Sequence, residues 1–287
     1  MAFKSNIITH VKKSTDTPIL PVVGDTWWQP DKKRFCKFKA TEIWECKDCA
    51  TSAGYFVNGY DATFNSIIEK IIFPFDTAST ILIDTVKVVS QGSGNFNSSK
   101  YGYICGGYSL ISNIQRLNFS DDTNVLLSAN IANPRGYSGG FNSSLHGYCC
   151  GGNNATATLS CVDRILFSAD TATTYQSALL SVINHTMATF NSSNYGYLSG
   201  GYTTGIVSNI EIISFPFDTT SSTMVTGILP TVNRNVSGCN SSLYGYTIGG
   251  FNGSSTYYST NTRISFPSLA GSAAAAAYLS NTVLSPG

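Results

Sequence analysis

Apolar and polar residues alternate in short runs along most of the chain, and the runs come in sets. In SNIQRLNFSDDT, which begins at Ser112, Leu117 and Phe119 stand against Asn118 and Ser120, the period-two pattern of a strand with one buried face. Related runs begin at Asn65 (NSIIEKIIFPFDT), Ser160 (SCVDRILFSADT), Ser208 (SNIEIISFPFDT) and Ser259 (STNTRISFPS). Each is followed by a further apolar run: Thr80 to Val86, Val125 to Ile131, Tyr175 to Ile183, Met224 to Leu229 and Ala274 to Leu279. Each is preceded by a third phrase, FNSSKYGYICGGY from Phe96, FNSSLHGYCCGGN from Phe141, FNSSNYGYLSGGY from Phe190 and CNSSLYGYTIGGF from Cys239, with a degenerate copy, DCATSAGYFVNGY, from Asp48. With the strand that ends in FNSS, this predicts four strands per set.

The sets are copies of one unit. The glycine of each Gly-Tyr pair falls at Gly54, Gly102, Gly147, Gly196 and Gly245, spaced 48, 45, 49 and 49 residues apart. Four short strands in that length are the size of a propeller blade. The Gly-Gly pairs at 106–107, 151–152, 200–201 and 249–250 end a strand where the backbone must turn sharply or approach a neighbour closely. The Asp-Thr pairs at Asp76, Asp122, Asp170 and Asp218 read as turns, with the Asp side chain accepting from the backbone two positions on.

A Gly-Gly pair that ends a Tyr-bearing strand and is followed by Tyr or Phe resembles the kelch repeat. The fuller phrase YGYxxGGY…IxRIxF…DT resembles the kelch-related repeats of bacteriophage tail and adhesion proteins, over about residues 48–287. The late Trp of kelch blades is absent, since Trp27, Trp28 and Trp44 all precede the first copy. The resemblance implies an all-β chain: a five-bladed kelch-like β-propeller over residues 46–287, preceded by a small N-terminal β-hairpin and arm over 1–45. Closing such a ring removes exposed sheet edges.

In the N-terminal part, PVVGDTWWQPDKKRFCKFKATEIWEC predicts strand, turn and strand, bending at Gln29-Pro30-Asp31. Trp27, Trp28, Phe35, Phe38 and Trp44 flank the bend, and the spacing resembles a small module of phage tail fibres, GDxWxxxxxxxLYxYxxxxW. An aromatic cap on a propeller end fits equally well. Residues 1–20 read as an extended arm, of a kind that orders against a partner subunit.

Charge narrows the field. Only 11% of residues are charged and the net charge is +1, against about a quarter charged in typical soluble domains. Nine of the 17 basic residues lie in residues 1–50, and the nearly neutral remainder excludes a nucleic-acid binder, which needs clustered Lys and Arg. The start, MAFKSNIITHVKK, lacks the apolar run and cleavage site of a signal peptide, and no apolar window is long enough to span a membrane. The Asn-x-Ser/Thr sites are largely one repeated phrase, FNSS, so glycosylation is not expected.

Candidate chemistry is sparse. Cys36, Cys46 and Cys49 offer three thiolates, one short of a structural zinc site, and no metal or cofactor is expected. Cys105, Cys150 and Cys239 follow the repeat and read as small core substitutions. Of three histidines, His146 stands where other copies carry Tyr. Glu69, Asp163 and Glu211 share one repeat position, and Lys70, Arg116, Arg164 and Arg263 share the next; positions repeated around a ring favour pairing between blades over one catalytic pocket. No enzyme is expected.

What remains is recognition by the loops after each Gly-Gly pair, where copies differ most. Tyr108, Asn153, Tyr202, Phe251, Tyr257 and Tyr258 are the candidates, since Tyr and Asn can stack on sugars and hydrogen-bond them. The resemblances imply a virion protein of a bacteriophage, a tail-fibre or tail-tip component. It would attach to other virion proteins through residues 1–45 and bind a host-surface glycan or protein with the propeller, with homo-oligomerisation left open. Alternatives are a capsid or head-fibre decoration protein, a glycan-degrading enzyme on a propeller scaffold, and an interaction module like cellular kelch proteins.

Overall fold

The computed structural model describes residues 11–13, 26–29, 34–38, 44–48, 52–57, 60–61, 63–64, 66–73, 77–80, 85–88, 91–175, 180–215, 223–225, 229–230, 233–254, 257–266 and 274–278. Every regular element among them is a strand. The chain divides into two compact units, residues 1–54 with 71–78, and residues 55–70 with 79–287.

The N-terminal sheet has four strands: β1 (Val11–Lys13), β2 (Thr26–Gln29), β3 (Arg34–Phe38) and β4 (Trp44–Asp48). β2 and β3 are the expected hairpin, closing with Gln29 opposite Arg34. β1 pairs in parallel with β2, Val11 opposite Thr26. Part of the expected free arm is thus a strand of this chain's own sheet, because its backbone groups find partners on β2.

Copy 1 contains β5 (Ser52–Val57), β6 (Tyr60–Asp61), β7 (Thr63–Phe64), β8 (Ile68–Phe73) and β9 (Thr77–Thr80), with sheets ordered β5-β8-β9 and β6-β7. Copies 2 to 5 are each a four-stranded antiparallel meander in sequence order. Copy 2 has β10 (Gly94–Asn97), β11 (Tyr101–Cys105), β12 (Asn113–Asn118) and β13 (Asn124–Asn130); copy 3 has β14 (Gly139–Asn142), β15 (His146–Cys150), β16 (Val162–Leu166) and β17 (Thr171–Tyr175). Copy 4 has β18 (Ala188–Asn191), β19 (Tyr195–Ser199), β20 (Ile210–Ser214) and β21 (Thr223–Val225); copy 5 has β22 (Ser237–Asn240), β23 (Tyr244–Ile248), β24 (Thr260–Ser265) and β25 (Ala274–Tyr278).

The FNSS phrase is hairpin chemistry. Ser98 Oγ accepts from the Tyr101 N–H at 3.0 Å while the Ser98 N–H donates to the Tyr101 carbonyl. Ser143, Ser192 and Ser241 repeat the bond with His146, Tyr195 and Tyr244 at 3.1, 3.2 and 3.1 Å. A hydroxyl at the first position of a tight turn supplies the acceptor that the turn needs.

The core lies between consecutive sheets. One cluster joins Ile68 and Val86 to Ile104 and Leu117, and a second joins Phe96, Tyr103 and Cys105 to Cys149 and Ile165. A third joins Phe141, Tyr148 and Cys150 to Leu198 and Ile213, and a fourth joins Phe190 and Tyr197 to Ile264. The first strands of neighbouring copies run beside one another, β10 by β14, β14 by β18 and β18 by β22. Phe96, Phe141 and Phe190 each lie over the Gly-Tyr glycine of the next copy, where a Cβ on Gly147, Gly196 or Gly245 would overlap the ring. The tyrosines two residues before the strand ends complete a stack with the next copy's Phe: Phe96, Tyr103 and Phe167 have successive centroids 5.4 and 5.3 Å apart. Cys239 stands at the same position in copy 5, but it is exposed. The reading of it as a core residue is corrected: the short thiol enters none of the buried clusters that Phe96, Phe141 and Phe190 join at this position. Cys105 and Cys150 are fully buried.

Three polar staples recur at the joints. A link residue between copies serves both: the Asn184 carbonyl accepts from Gly152 of copy 3 at 2.8 Å, while its side-chain amide donates to the Gly200 carbonyl of copy 4 at 2.9 Å. Asn233 does the same between copies 4 and 5. The second staple is the carboxylate position, which takes N–H groups from the link before it. Asp163 accepts from Ala132, Glu211 from Ser181, and Gln115 from Lys87 and Val88. The third joins a Tyr and a cation of one copy to the Asp-Thr aspartate of the next. Tyr55 and Lys70 donate to Asp122, each at 2.8 Å, and Tyr103 and Arg116 donate to Asp170. Asp122 and Asp170 sit at φ 60 and 53. They are turn residues, but the local cap falls elsewhere: Asp121 accepts from the Thr123 N–H at 3.1 Å, while the aspartate in the left-handed turn position reaches across to the preceding copy. Asp76 and Asp218 lie outside the described residues.

Candidate functional site

At the Gly-Gly end of the sheets the chain leaves each second strand through two glycines with positive φ, 65 and 142 at Gly106 and Gly107 and 67 and 107 at Gly200 and Gly201. The first approaches the carbonyl of the following link so closely that only a hydrogen fits. This fixes the next residue, Tyr108, Asn153, Tyr202 or Phe251, against the preceding link. Asn153 pairs with Gly136, Tyr202 with His185 and Phe251 with Arg234 as isolated β-bridges, each with two backbone hydrogen bonds of 2.9–3.2 Å. Tyr108 donates its N–H to the Gln91 carbonyl. The links are themselves joined, with Thr186 donating to the Tyr137 carbonyl and Asn235 to the Thr186 carbonyl. Tyr137, Thr186 and Asn235 all have positive φ, 54, 58 and 52. A β-branched Thr in that region costs on the order of 1–3 kcal/mol and marks an over-determined backbone.

This frame brings side chains of four copies into one row. Tyr108 meets Tyr137 edge-on at 5.5 Å, Tyr137 meets His185 at 6.4 Å and His185 meets Tyr202 at 5.3 Å. The Arg234 guanidinium lies over Tyr202 at 5.2 Å and over Phe251 at 5.3 Å, and Phe251 stacks on Tyr257 at 5.0 Å. Tyr108 and Tyr257, at the two ends, are 48% and 43% exposed. Burial, together with the Arg234 charge, lowers the pKa of His185 and favours the neutral ring. Burial raises that of Tyr137, helped by Tyr108. Thr158 Oγ1 lies 3.4 Å from His185 Nδ1.

Of the six loop candidates, Tyr108, Tyr202, Phe251 and Tyr257 enter the row. Asn153 holds the same backbone place in copy 3, and its neighbour Asn154 caps the loop by accepting from Thr156 and Ala157. Tyr258 closes its loop by donating to the Gly250 carbonyl. Sequence reasoning missed Tyr137, His185 and Arg234. They lie on links between copies, where neither a repeated phrase nor a strand pattern draws attention; the available signal is that Gln91, Gly136, His185 and Arg234 differ at one repeat position.

The other candidates fall elsewhere. Trp27 and Trp28 are on β2, Phe35 and Phe38 on β3 and Trp44 on β4, with Trp28 opposite Phe35 and Phe38 opposite Trp44 in register. Cys36 is opposite Cys46, and Cys49 lies outside the described residues. Asp163 is fully buried in an ion pair with Arg135 at 2.6 Å, and Glu211 is 3% exposed and bonded to Ser181. Both carboxylates fasten copies together, as their shared repeat position suggests. Burial alone would pull the Arg135 guanidinium down, but Cys149 and Asp163 hold it charged, above its ordinary value. At the FNSS end, a groove of about 580 Å³ runs between copies 2 and 3, lined by Ser98, Lys100, Tyr101, Ser143, Leu145 and Phe167 among others. The chain matches no protein-family model and no curated protein.

Proposed function

We propose that this protein is a five-bladed propeller that binds a host-surface glycan through the row at its Gly-Gly end, as a tail-fibre or tail-tip component of a bacteriophage. The observation that carries the binding reading is the row itself, in which Tyr108, Tyr137, Tyr202, Phe251 and Tyr257 from successive copies are set on a hydrogen-bonded frame. Aromatic faces take up the apolar faces of sugar rings, and a row spanning several copies suits an extended polymer. Sequence resemblance alone supports the phage setting.

The ring rests on consecutive meanders whose first strands are neighbours, and on which copies keep the Tyr–cation–Asp staple. Copy 4 carries Ile212 in place of the cation, and copy 5 has no Asp-Thr pair to receive one. Copy 5 keeps Arg263, and a closed ring gives it a successor, copy 1, whose sequence supplies Asp76.

Binding is tested by titrating host surface polysaccharide against the protein and against Tyr202→Ala and Phe251→Ala. Each substitution is expected to weaken binding about tenfold, as loss of one stacked ring of about 1–1.5 kcal/mol would do, with melting little changed. Binding unaltered by both would refute the assignment of the row. The setting is tested by deleting residues 1–45, which should abolish copurification with phage particles; particles that retain the shortened protein would refute attachment through that segment.

A further inference from the structure

Among the described cations, Lys70, Arg116 and Arg135 each meet an aspartate. Arg263 stands at the staple position over Tyr244. Arg234 is different: it belongs to a link rather than a strand, and its guanidinium lies over the rings of Tyr202 and Phe251 rather than against an aspartate. No carboxylate among the described residues lies within ion-pair distance of it. The remaining row members, Tyr108, Tyr137, His185 and Tyr257, bring no negative charge, and the favoured form of His185 is neutral. A guanidinium carries its in-plane N–H groups in a fork that matches a planar two-oxygen acceptor, and the rings 5.2 and 5.3 Å away limit where that fork can move. Tyr257, exposed and stacked on Phe251 beside the guanidinium, offers the surface on which the sugar bearing that acceptor would stack.

We infer that the row selects an acidic glycan, and that Arg234 receives the carboxylate of a uronic or sialic acid residue stacked on Tyr257. The inference rests on the glycan-binding reading and deepens it. The phosphodiester of a glycerol-phosphate polymer shares the anionic chemistry, but it lacks both the planar acceptor and the ring to stack.

The test is a glycan array with matched pairs, each uronic or sialic acid oligosaccharide beside its neutral parent, and a separate glycerol-phosphate polymer. It is probed with the full-length protein, Arg234→Gln, Arg234→Lys and Tyr202→Ala. The β-bridge to Phe251 uses only the Arg234 backbone and survives in the glutamine variant, and a thermal melt of each variant separates any loss of folding from loss of the charge. The expected result is a preference of at least about tenfold for the acidic members, one charge-assisted bidentate contact's worth. It should fall with added salt, be lost in Arg234→Gln and be only partly kept in Arg234→Lys. Equal binding of acidic and neutral members, unchanged in Arg234→Gln but weakened in Tyr202→Ala, would overturn the inference and leave the glycan reading standing. Preference for the glycerol-phosphate polymer would overturn the carboxylate assignment. Binding to no member would overturn both.

Discussion

The ring of Phe96 occupies the space where a side chain on Gly147 would stand, and Phe141 and Phe190 repeat this over Gly196 and Gly245. Gly147→Ala is therefore an overpacking change, expected to destabilise by about 1–3 kcal/mol or more, whereas Phe96→Ala leaves a cavity costing about 3–5 kcal/mol; both are read from thermal melts. The Arg135–Asp163 pair makes a sharper prediction. Arg135→Met strands a buried carboxylate and should cost about 3–5 kcal/mol, while the double change with Asp163→Leu should recover most of that loss. Thiol labelling offers a third check at this scale, since Cys239 is exposed and Cys105, Cys149 and Cys150 are buried. In the folded protein Cys239 should react before Cys105, Cys149 and Cys150. His185 has a folded pKa below the ordinary 6.5. The stability it lends is present above pH 6.5 and is lost as pH falls through the folded value, because the unfolded chain binds the proton more readily. The melting difference between the protein and His185→Gln should therefore change as the pH is lowered from 7, and a constant difference would contradict the assignment.

Between elements, the joints show how repeats vary together. Where Ser181 supplies an N–H to the carboxylate position, copy 4 carries Glu211; where Pro230 supplies none, copy 5 carries Thr262. Glu211→Leu should then orphan the Ser181 N–H and cost about 1–3 kcal/mol, measurable by denaturant unfolding. Much of this level was legible in the sequence. Alternation in SNIQRLNF gave β12, the Gly-Gly pairs gave strand ends with positive φ, and the shared acidic position gave staples rather than a catalytic pair. The loop positions after Gly-Gly pointed to Tyr202 and Phe251 because variation among copies marks residues that the fold does not dictate. Other parts were hidden for physical reasons. Arg135 meets Asp163 across 28 residues of chain, and the row needs link residues whose place is set by a positive-φ backbone that no local pattern announces.

At the scale of the whole chain, the buried clusters among the described residues lie at joints between successive sheets, as in repeat proteins whose stability is a sum of unit and interface terms. Such an arrangement can close into a ring or remain open; in the sequence the cation is missing only before the copy that lacks the aspartate, which is the pattern the proposed ring requires. Closure would also hold the row of Tyr108 to Tyr257 on a fixed arc, so that a polymer meets several copies at once. The most direct test is electron microscopy of the isolated protein. Class averages viewed down the ring axis should show five lobes around a central channel; an open arc, or a stack of sheets without a channel, would contradict the propeller.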